Sequence, residues 1–207
     1  MKITGGHVEE GIVVGNAYNK YATQNPLIRL IMAGYEAALT ELVEKVQPKT
    51  IHEVGCGEGY WTLNLQRKGF RARGTDFSHR AIHVARLNAL ANCSENSFQV
   101  QSIYDVRADW DSADLILCCE VLEHLAYPQQ ALEALRRIVT GHLIVSVPRE
   151  PMWRALNILR GKYIMRLGNT PGHLQHWSKR NFIALLGKSF EVLEVRQPLP
   201  WTMLLCR

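Results

Sequence analysis

The chain has 207 residues, of which 47% are hydrophobic and 21% are charged, a composition typical of a folded globular protein and not of a disordered, collagen-like or coiled-coil chain. This length predicts a single domain over residues 1–207. Lysine and arginine exceed aspartate and glutamate, 24 against 19, and this mild positive charge is compatible with an anionic partner without requiring one.

The first half of the chain alternates regularly between predicted helices and strands. Asn25 and Pro26 form an N-cap followed by proline at the first helical position, and apolar residues then recur at helical spacing as far as residue 46. A strand at residues 50–54 ends in a glycine-rich turn, and residues 60–68 form a helix. Residues 70–75 form the next strand, after which Ser78 caps a helix that ends near residue 91.

The second half continues the alternation. Residues 98–102 form a weakly alternating strand, and residues 115–119 are a continuous apolar run, typical of a strand covered on both faces. Pro128 opens a helix to residue 139, and a strand follows at residues 142–147. After an irregular basic stretch, Ser178 caps a helix to residue 187, and two strands follow at residues 190–196 and 201–206.

This order of elements predicts an α/β fold of three layers, Rossmann-like in its alternation, with a mostly parallel seven-stranded sheet. The last two strands are separated by only four residues, so we expect an antiparallel C-terminal hairpin. Within the single domain, residues 1–48 are expected to form an N-terminal helical arm or lid. Residues 148–177 are expected to form an insertion that caps the substrate side.

A glycine-rich turn follows the first strand of this predicted sheet. Gly55, Gly57 and Gly59 stand where an open α/β sheet has its ligand crevice, and glycine lets the backbone turn sharply and approach a ligand closely. Asp76 ends the next strand, where a carboxylate can accept both hydroxyl hydrogens of a ribose. The combination favours a nucleoside-containing cofactor over a purely structural turn.

The spacing of the glycines distinguishes between two classes of cofactor. Dinucleotide sites usually have G-x-G-x-x-G, whereas this turn has G-x-G-x-G, and Glu53 and Glu58 would repel a pyrophosphate. The positive sulfonium and ammonium groups of S-adenosylmethionine tolerate acidic surroundings. The turn therefore favours S-adenosylmethionine, and a nicotinamide-dependent oxidoreductase is the alternative.

With these motifs, the chain resembles the class I S-adenosylmethionine-dependent methyltransferases along nearly its whole length. Residues 53–59 look like the first motif of that family, and residues 74–78, which include Asp76 and Phe77, look like the second. The resemblance implies that Asp105 holds the adenine amino group and that Cys119 contacts the adenosyl group. It also implies that Tyr18 and Tyr21 belong to a lid over the cofactor, with simple packing of the arm as the alternative.

A cluster of acidic and histidine residues follows the fourth strand of the predicted sheet. If a helical turn begins there, Glu120 lies on the same face as Glu123 and His124. Such a set could bind one divalent cation, Mg²⁺, Mn²⁺, Co²⁺ or Zn²⁺. In the alternative interpretation, Glu120 faces solvent and His124 caps the loop or packs beneath it.

Two methyltransferase groups carry the same Glu-x-x-Glu-His block and a later histidine just before a helix. They are the ubiquinone-biosynthesis O-methyltransferases, to which this chain is most similar, and the small-RNA terminal 2′-O-methyltransferases. The similarity implies that His173 is the fourth metal ligand. His176 is the competing assignment, but it adjoins Trp177, which favours a packing role.

These motifs predict methyl transfer to a hydroxyl of a small molecule, such as a catechol or a vicinal diol. A metal would lower the pKa of the hydroxyl and fix it in line with the methyl-bearing sulfur. In a metal-free enzyme that methylates oxygen or nitrogen, His124 or His173 could instead act as general base. A non-catalytic, membrane-associated binding module on the same fold is a further alternative.

The predicted insertion mixes apolar and basic side chains between residues 149 and 166. Such a segment can wall a substrate pocket, lie on an anionic membrane or bind a phosphate group, and we favour a cap packed on the domain. A single short basic stretch disfavours a nucleic-acid partner, and no segment predicts an oligomeric state.

The sequence also bears on the cellular compartment. No stretch approaches about 18 uninterrupted apolar residues, and the first residues lack the apolar segment of a secretory signal. Five cysteines without C-x-x-C spacing indicate neither a disulfide framework nor a zinc knuckle. We therefore expect a cytoplasmic protein with reduced thiols, and membrane contact, if any, through residues 149–166.

Overall fold

The N-terminal arm combines a pair of short strands with a long helix. A computed structural model describes residues 1–9, 12–16, 18–94 and 97–207. Strands β1 (His7–Glu9) and β2 (Ile12–Val14) pair antiparallel, and helix α1 (Pro26–Val46) follows. As predicted, the side chain of Asn25 caps α1, accepting hydrogen bonds from two backbone N–H groups of its first turn. The arm is therefore helical only from Pro26 onward.

The other elements alternate much as the sequence predicts. The strands of the main sheet are β3 (Ile51–Val54), β4 (Ala72–Asp76), β5 (Phe98–Val100), β6 (Ala113–Cys119), β7 (Val139–Pro148), β8 (Val192–Arg196) and β9 (Trp201–Cys206). The helices after α1 are α2 (Tyr60–Arg67), α3 (His79–Ala91), α4 (Ala108–Asp111), α5 (Pro128–Ile138), α6 (Met152–Leu159) and α7 (Lys179–Leu186).

Within the described residues, seven strands form one sheet in the order β5-β4-β3-β6-β7-β9-β8. Strands β3 to β7 pair in parallel, whereas β9 pairs antiparallel with both β7 and β8. This confirms the predicted mostly parallel sheet with an antiparallel C-terminal hairpin. Because β3 lies between β4 and β6, the carboxyl ends of these three strands meet at one edge, where such sheets bind ligands.

Helices cover both faces of the sheet, as the apolar strand β6 predicts. Leu115 and Leu117 of β6 pack in the cluster that α1 and α2 complete, whereas Ile116 and Cys118 pack in the cluster that α5 and α7 complete. All four side chains are fully buried. The core therefore has three layers, and it holds the carboxyl edge of the sheet in place.

The structure differs from the prediction in the segments that flank β7. Strand β7 begins at Val139, directly after α5, and not at residue 142, because β-branched Val139 and Thr140 favour extended backbone. The insertion after β7 is not irregular throughout, since it contains α6. Among the residues that the structure describes, none of the helices combines the length and the apolar character of a membrane span.

Candidate active site

The turn between β3 and α2 brings backbone to the carboxyl edge of the sheet. Gly55 and Gly59 both have φ of 81°, a conformation that favours glycine. A β-carbon at Gly55 would collide with the side chain of Val121, and one at Gly59 would lie 2.6 Å from Phe98 Cζ. At Gly57, by contrast, a β-carbon would meet open space, so the turn leaves room for a ligand at its middle glycine.

Asp76 lies beside this turn at the end of β4. The Gly57 N–H donates to its Oδ2 at 2.9 Å, and the Ser78 N–H donates to its Oδ1 at 3.0 Å. Burial raises the pKa of Asp76, and the two N–H donors oppose that rise. Each carboxylate oxygen can accept a further hydrogen bond. The backbone therefore orients a carboxylate that retains the capacity to accept two hydroxyl groups.

The two glutamates of the first motif are buried and have different partners. Glu53 accepts hydrogen bonds from the backbone N–H of Thr62, at 2.9 Å, and from its hydroxyl, and burial raises the pKa of Glu53 to about 8. Glu58 accepts hydrogen bonds from the backbone and side chains of Thr4 and Asn16, between 2.7 and 3.1 Å. Glu58 therefore fastens the N-terminal arm to the glycine turn.

The arm continues from this anchor across the edge of the sheet. The Tyr21 ring stacks on Tyr60, next to the glycine turn, with ring centroids 3.6 Å apart. The neighbouring Lys20 Nζ lies 3.0 Å from both carboxylate oxygens of Glu120, which follows β6. Residues 20 and 21 thus link the glycine turn to the Glu-x-x-Glu-His block, and no sequence pattern indicates this contact of Lys20.

The other predicted cofactor residues lie on the same edge of the sheet. Phe77 is half-buried directly after Asp76, and Asp105 is exposed in a 3-10 turn that follows β5. Cys119 ends β6 with 8% of its surface exposed, and burial raises its pKa to about 12. Its thiol is therefore protonated at neutral pH, which suits contact and not nucleophilic chemistry.

Glu123, His124 and His173 form a cluster at the end of β6. One ligand atom from each residue lies within 4.8 Å of the other two. A 3-10 turn (Leu122–His124) presents the first two, and the chain after α6 brings the third. His124 Nδ1 donates to the Gly172 carbonyl at 2.9 Å, which leaves Nε2 as the nitrogen with a free lone pair.

The chemistry of this cluster fits a divalent cation. Glu123 is 2% exposed, and neither of its carboxylate oxygens has a hydrogen-bond partner among the described residues. Burial lowers the pKa of His124, and it lowers that of His173 to about 3, so both imidazoles are neutral, the form that binds metals. A buried carboxylate without partners is costly unless a cation or a proton compensates it.

The cluster holds three of the four predicted ligands. Glu120 lies outside it, because its carboxylate is paired with Lys20. His176, the competing assignment for the last ligand, lies outside it too, with Nδ1 3.6 Å from Glu150 Oε1. The structure therefore groups Glu123 and His124 with His173 and not with His176.

Two tryptophans stand beside the cluster. Trp153 of α6 stacks on His173 with ring centroids 5.9 Å apart, and Trp201 of β9 is 5.9 Å from Trp153. The Trp153 indole N–H donates to the Thr170 hydroxyl at 2.9 Å, which fixes the ring. The insertion therefore contributes one aromatic wall, and sequence reasoning missed Trp201 because its position depends on β9 pairing beside β7.

Comparison with known proteins identifies the family of the chain. A family profile described as a methyltransferase domain matches residues 25–195, which is most of the chain. The chain belongs to this methyltransferase family. The match includes the glycine turn, the Glu-x-x-Glu-His block and His173, and it confirms the resemblance to class I S-adenosylmethionine-dependent methyltransferases.

A curated relative of this methyltransferase is the ubiquinone biosynthesis O-methyltransferase of Alkalilimnicola ehrlichii. The two are 34% identical over 127 residues, which are 59% of this chain and 51% of that relative. A corresponding enzyme of Xanthomonas oryzae is 33% identical over 56% of this chain and 50% of its own. The chain therefore spans about half the length of the curated relatives it matches.

Solved structures show the same fold. The PH0226 protein of Pyrococcus horikoshii is 17% identical and superposes with a TM-score of 0.72, over 92% of this chain and 95% of that one. Magnesium protoporphyrin IX methyltransferase from Synechocystis, solved with bound SAH, is also 17% identical, with a TM-score of 0.67 over 89% and 88% of the two chains. These likenesses confirm the Rossmann-like methyltransferase fold.

Proposed function

We propose that this methyltransferase transfers the methyl group of S-adenosylmethionine to a hydroxyl of a small molecule, assisted by a divalent cation. The observation that carries the proposal is the buried carboxylate of Glu123, which has no hydrogen-bond partner among the described residues and lies beside His124 and His173, at the same edge of the sheet as the glycine turn. The names of the curated relatives support transfer to oxygen.

The residues of the glycine turn would bind the methyl donor. The open side of Gly57 gives the donor access to the backbone, and the oriented carboxylate of Asp76 would accept the ribose hydroxyls. Asp105 would accept from the adenine amino group, while Phe77 and Cys119 would contact the adenosyl group. Glu53, whose pKa is raised to about 8, would lie close to the positive charge of the donor, and that charge would favour its carboxylate form.

The cluster would bind the cation and position the acceptor. Glu123, His124 and His173 would hold the cation, which supplies Lewis acidity that lowers the pKa of an acceptor hydroxyl. The Gly172 carbonyl orients His124, as partners of metal-binding histidines generally do. Trp153 beside His173 offers a flat apolar surface for a planar acceptor such as a catechol.

The proposed binding of the donor is tested by calorimetry with S-adenosylhomocysteine. The Asp76→Ala variant loses one or two charge-assisted hydrogen bonds, each worth about 1.5–3 kcal/mol, so its affinity should fall at least about tenfold. Asp109→Ala, which changes an exposed aspartate of α4, is the control and should bind like the wild type. Equal affinity of Asp76→Ala and the wild type would remove the ribose role.

The proposed role of the cation is tested by removing it. Methyl transfer from radiolabelled donor to catechol acceptors should cease in EDTA and return when Mg²⁺, Mn²⁺, Co²⁺ or Zn²⁺ is restored. The His173→Ala variant should lose more activity than His176→Ala, since only His173 belongs to the cluster. Full activity in EDTA would contradict the metal route and leave a histidine as the general base.

We also propose that the insertion contacts an anionic membrane surface. Leu159, Met165 and Leu167 are 81%, 97% and 69% exposed, and they are interspersed with arginine and lysine. Apolar side chains flanked by cations are typical of segments that lie on anionic lipid. Such contact would place the aromatic wall formed by Trp153 near acceptors dissolved in a membrane.

A further inference from the structure

Lys20 occupies a site that is built to hold a cation. Its ammonium lies 3.0 Å from both carboxylate oxygens of Glu120, 5.4 Å from the centre of the Tyr21 ring and 5.9 Å from that of Trp201. The side chains of Lys20 and Glu120 are only 20% and 23% exposed. One carboxylate and two aromatic faces therefore surround the ammonium, a combination that attracts positive charge.

The backbone of Glu120 is held independently of this ion pair. Its φ of 57° is in the left-handed region, which residues other than glycine seldom adopt. Its N–H donates to the Ser146 carbonyl on β7 at 3.0 Å. The sheet therefore fixes the backbone of Glu120, so that an exchange of partners by its carboxylate involves the side chain and not the backbone.

Lys20 also acts electrostatically on the neighbouring cluster. Glu120, the partner of Lys20, directly follows β6, and Glu123 and His124 lie on the 3-10 turn that comes next. The ion pair and the cluster thus share one electrostatic environment. A divalent cation bound in the cluster would repel the ammonium of Lys20 and attract the carboxylate of Glu120.

We propose that Lys20 is an exchangeable counter-ion, whose ammonium competes with a divalent cation held by Glu123, His124 and His173 for the carboxylate of Glu120. Loading of the cation then releases residues 18–23 of the N-terminal arm from the edge of the sheet. This inference rests on the proposed metal site. It adds to that site a competing group, the ammonium of Lys20, and a segment that moves, residues 18–23.

The exchange links the cation to the cover over the methyl donor. The residue after Lys20 is Tyr21, which stacks on Tyr60 beside the glycine turn. Release of Lys20 therefore loosens the stack next to the donor, while the bonds of Glu58 to Thr4 and Asn16 keep the rest of the arm attached. The arm opens as a flap and does not detach.

Cobalt titration tests the competition without measuring activity. Co²⁺ binding, followed by its visible absorption, should be about fivefold tighter in Lys20→Met than in the wild type, the factor expected when one competing ion pair is lost. Lys45→Met is the matched control, because Lys45 pairs with Glu194 away from the cluster, and its affinity should not change. In a Glu120→Gln background, Lys20→Met should bring no gain. Equal affinity of Lys20→Met and the wild type would overturn the proposal.

Trypsin cleavage after Lys20 tests the release of the arm. In the wild type, Co²⁺ should accelerate this cleavage, whereas in His124→Ala, which lacks a ligand, Co²⁺ should have no effect. A cleavage rate that is independent of Co²⁺ in a wild type that binds it would overturn the exchange and leave the metal site standing. If no variant binds Co²⁺ while S-adenosylhomocysteine still binds, the metal site and the exchange both fall and donor binding remains.

Discussion

At the residue scale, the role of each buried glutamate near the site depends on which groups are paired with its carboxyl group. Among the described residues, Glu53, Glu58 and Glu123 are all buried near the carboxyl edge of the sheet. Glu53 is held by Thr62, and Glu58 is held by the N-terminal arm. Glu123 has no such partner in the described part of the chain, and this difference distinguishes structural carboxylates from one that can bind a cation.

The raised pKa of Glu53 predicts a pH dependence of stability. Its pKa is about 8 in the folded chain against an ordinary value of 4.5, so between these values the folded state binds a proton that the unfolded state has lost. Stability therefore falls as pH rises from about 4.5 to about 8, with a limiting slope of about 1.4 kcal/mol per pH unit for one whole proton.

The Glu53→Gln variant cannot titrate at this position. Its free energy of unfolding in urea should therefore fall less steeply than that of the wild type between pH 5 and pH 8, while Glu133→Gln, at an exposed position of α5, should follow the wild type. Parallel curves for Glu53→Gln and the wild type would show that Glu53 does not carry this proton.

At the element scale, the helix starts could be predicted because capping is local. The side chains of Asn25, Ser78 and Ser178 cap α1, α3 and α7 as the sequence indicates. The β1–β2 pair could not be predicted, since the residues that flank it, Thr4 and Asn16, are held by Glu58, a residue distant in sequence that the motif associates with the cofactor. Short strands also carry too few residues to show alternation.

Glu58 therefore has a predicted effect on the arm. Glu58→Ala removes the acceptor of hydrogen bonds from Thr4 and Asn16, each worth about 1.5–3 kcal/mol when the acceptor is charged. Amide hydrogen exchange in residues 1–9 and 12–16 should accelerate at least about tenfold, while exchange in β6 stays unchanged. Glu9→Ala, which removes a single long bond from the Arg80 N–H, should have a much smaller effect. Unchanged exchange in Glu58→Ala would show that other contacts hold the arm.

At the scale of the whole molecule, the order of elements and the apolar run of β6 were enough to predict the fold. The glycine turn and the Glu-x-x-Glu-His block were recognisable because their residues are close together in sequence. The pairing of Lys20 with Glu120 and the position of Trp201 were not, because they depend on how the folded chain brings distant residues together. Sequence patterns thus identified the candidate metal ligands but not Lys20, which pairs with one of them.

Peripheral membrane contact is a property of the assembled surface. The wild type should sediment with vesicles that contain phosphatidylglycerol and much less with vesicles of pure phosphatidylcholine, because burial of apolar side chains and attraction to anionic lipid both contribute to binding. The double variant Leu159→Gln, Met165→Gln should lose most of this binding, whereas Leu90→Gln, at another exposed leucine on α3, should retain it. Equal sedimentation of the double variant and the wild type would exclude the insertion as the contact.

The most direct test is a crystal structure with S-adenosylhomocysteine and Mn²⁺. We predict that the sugar hydroxyls of the product lie within hydrogen-bond distance of Asp76. We also predict an anomalous difference peak within bonding distance of Glu123, His124 and His173. An ordered product at the glycine turn with no anomalous peak at these three residues would contradict the account.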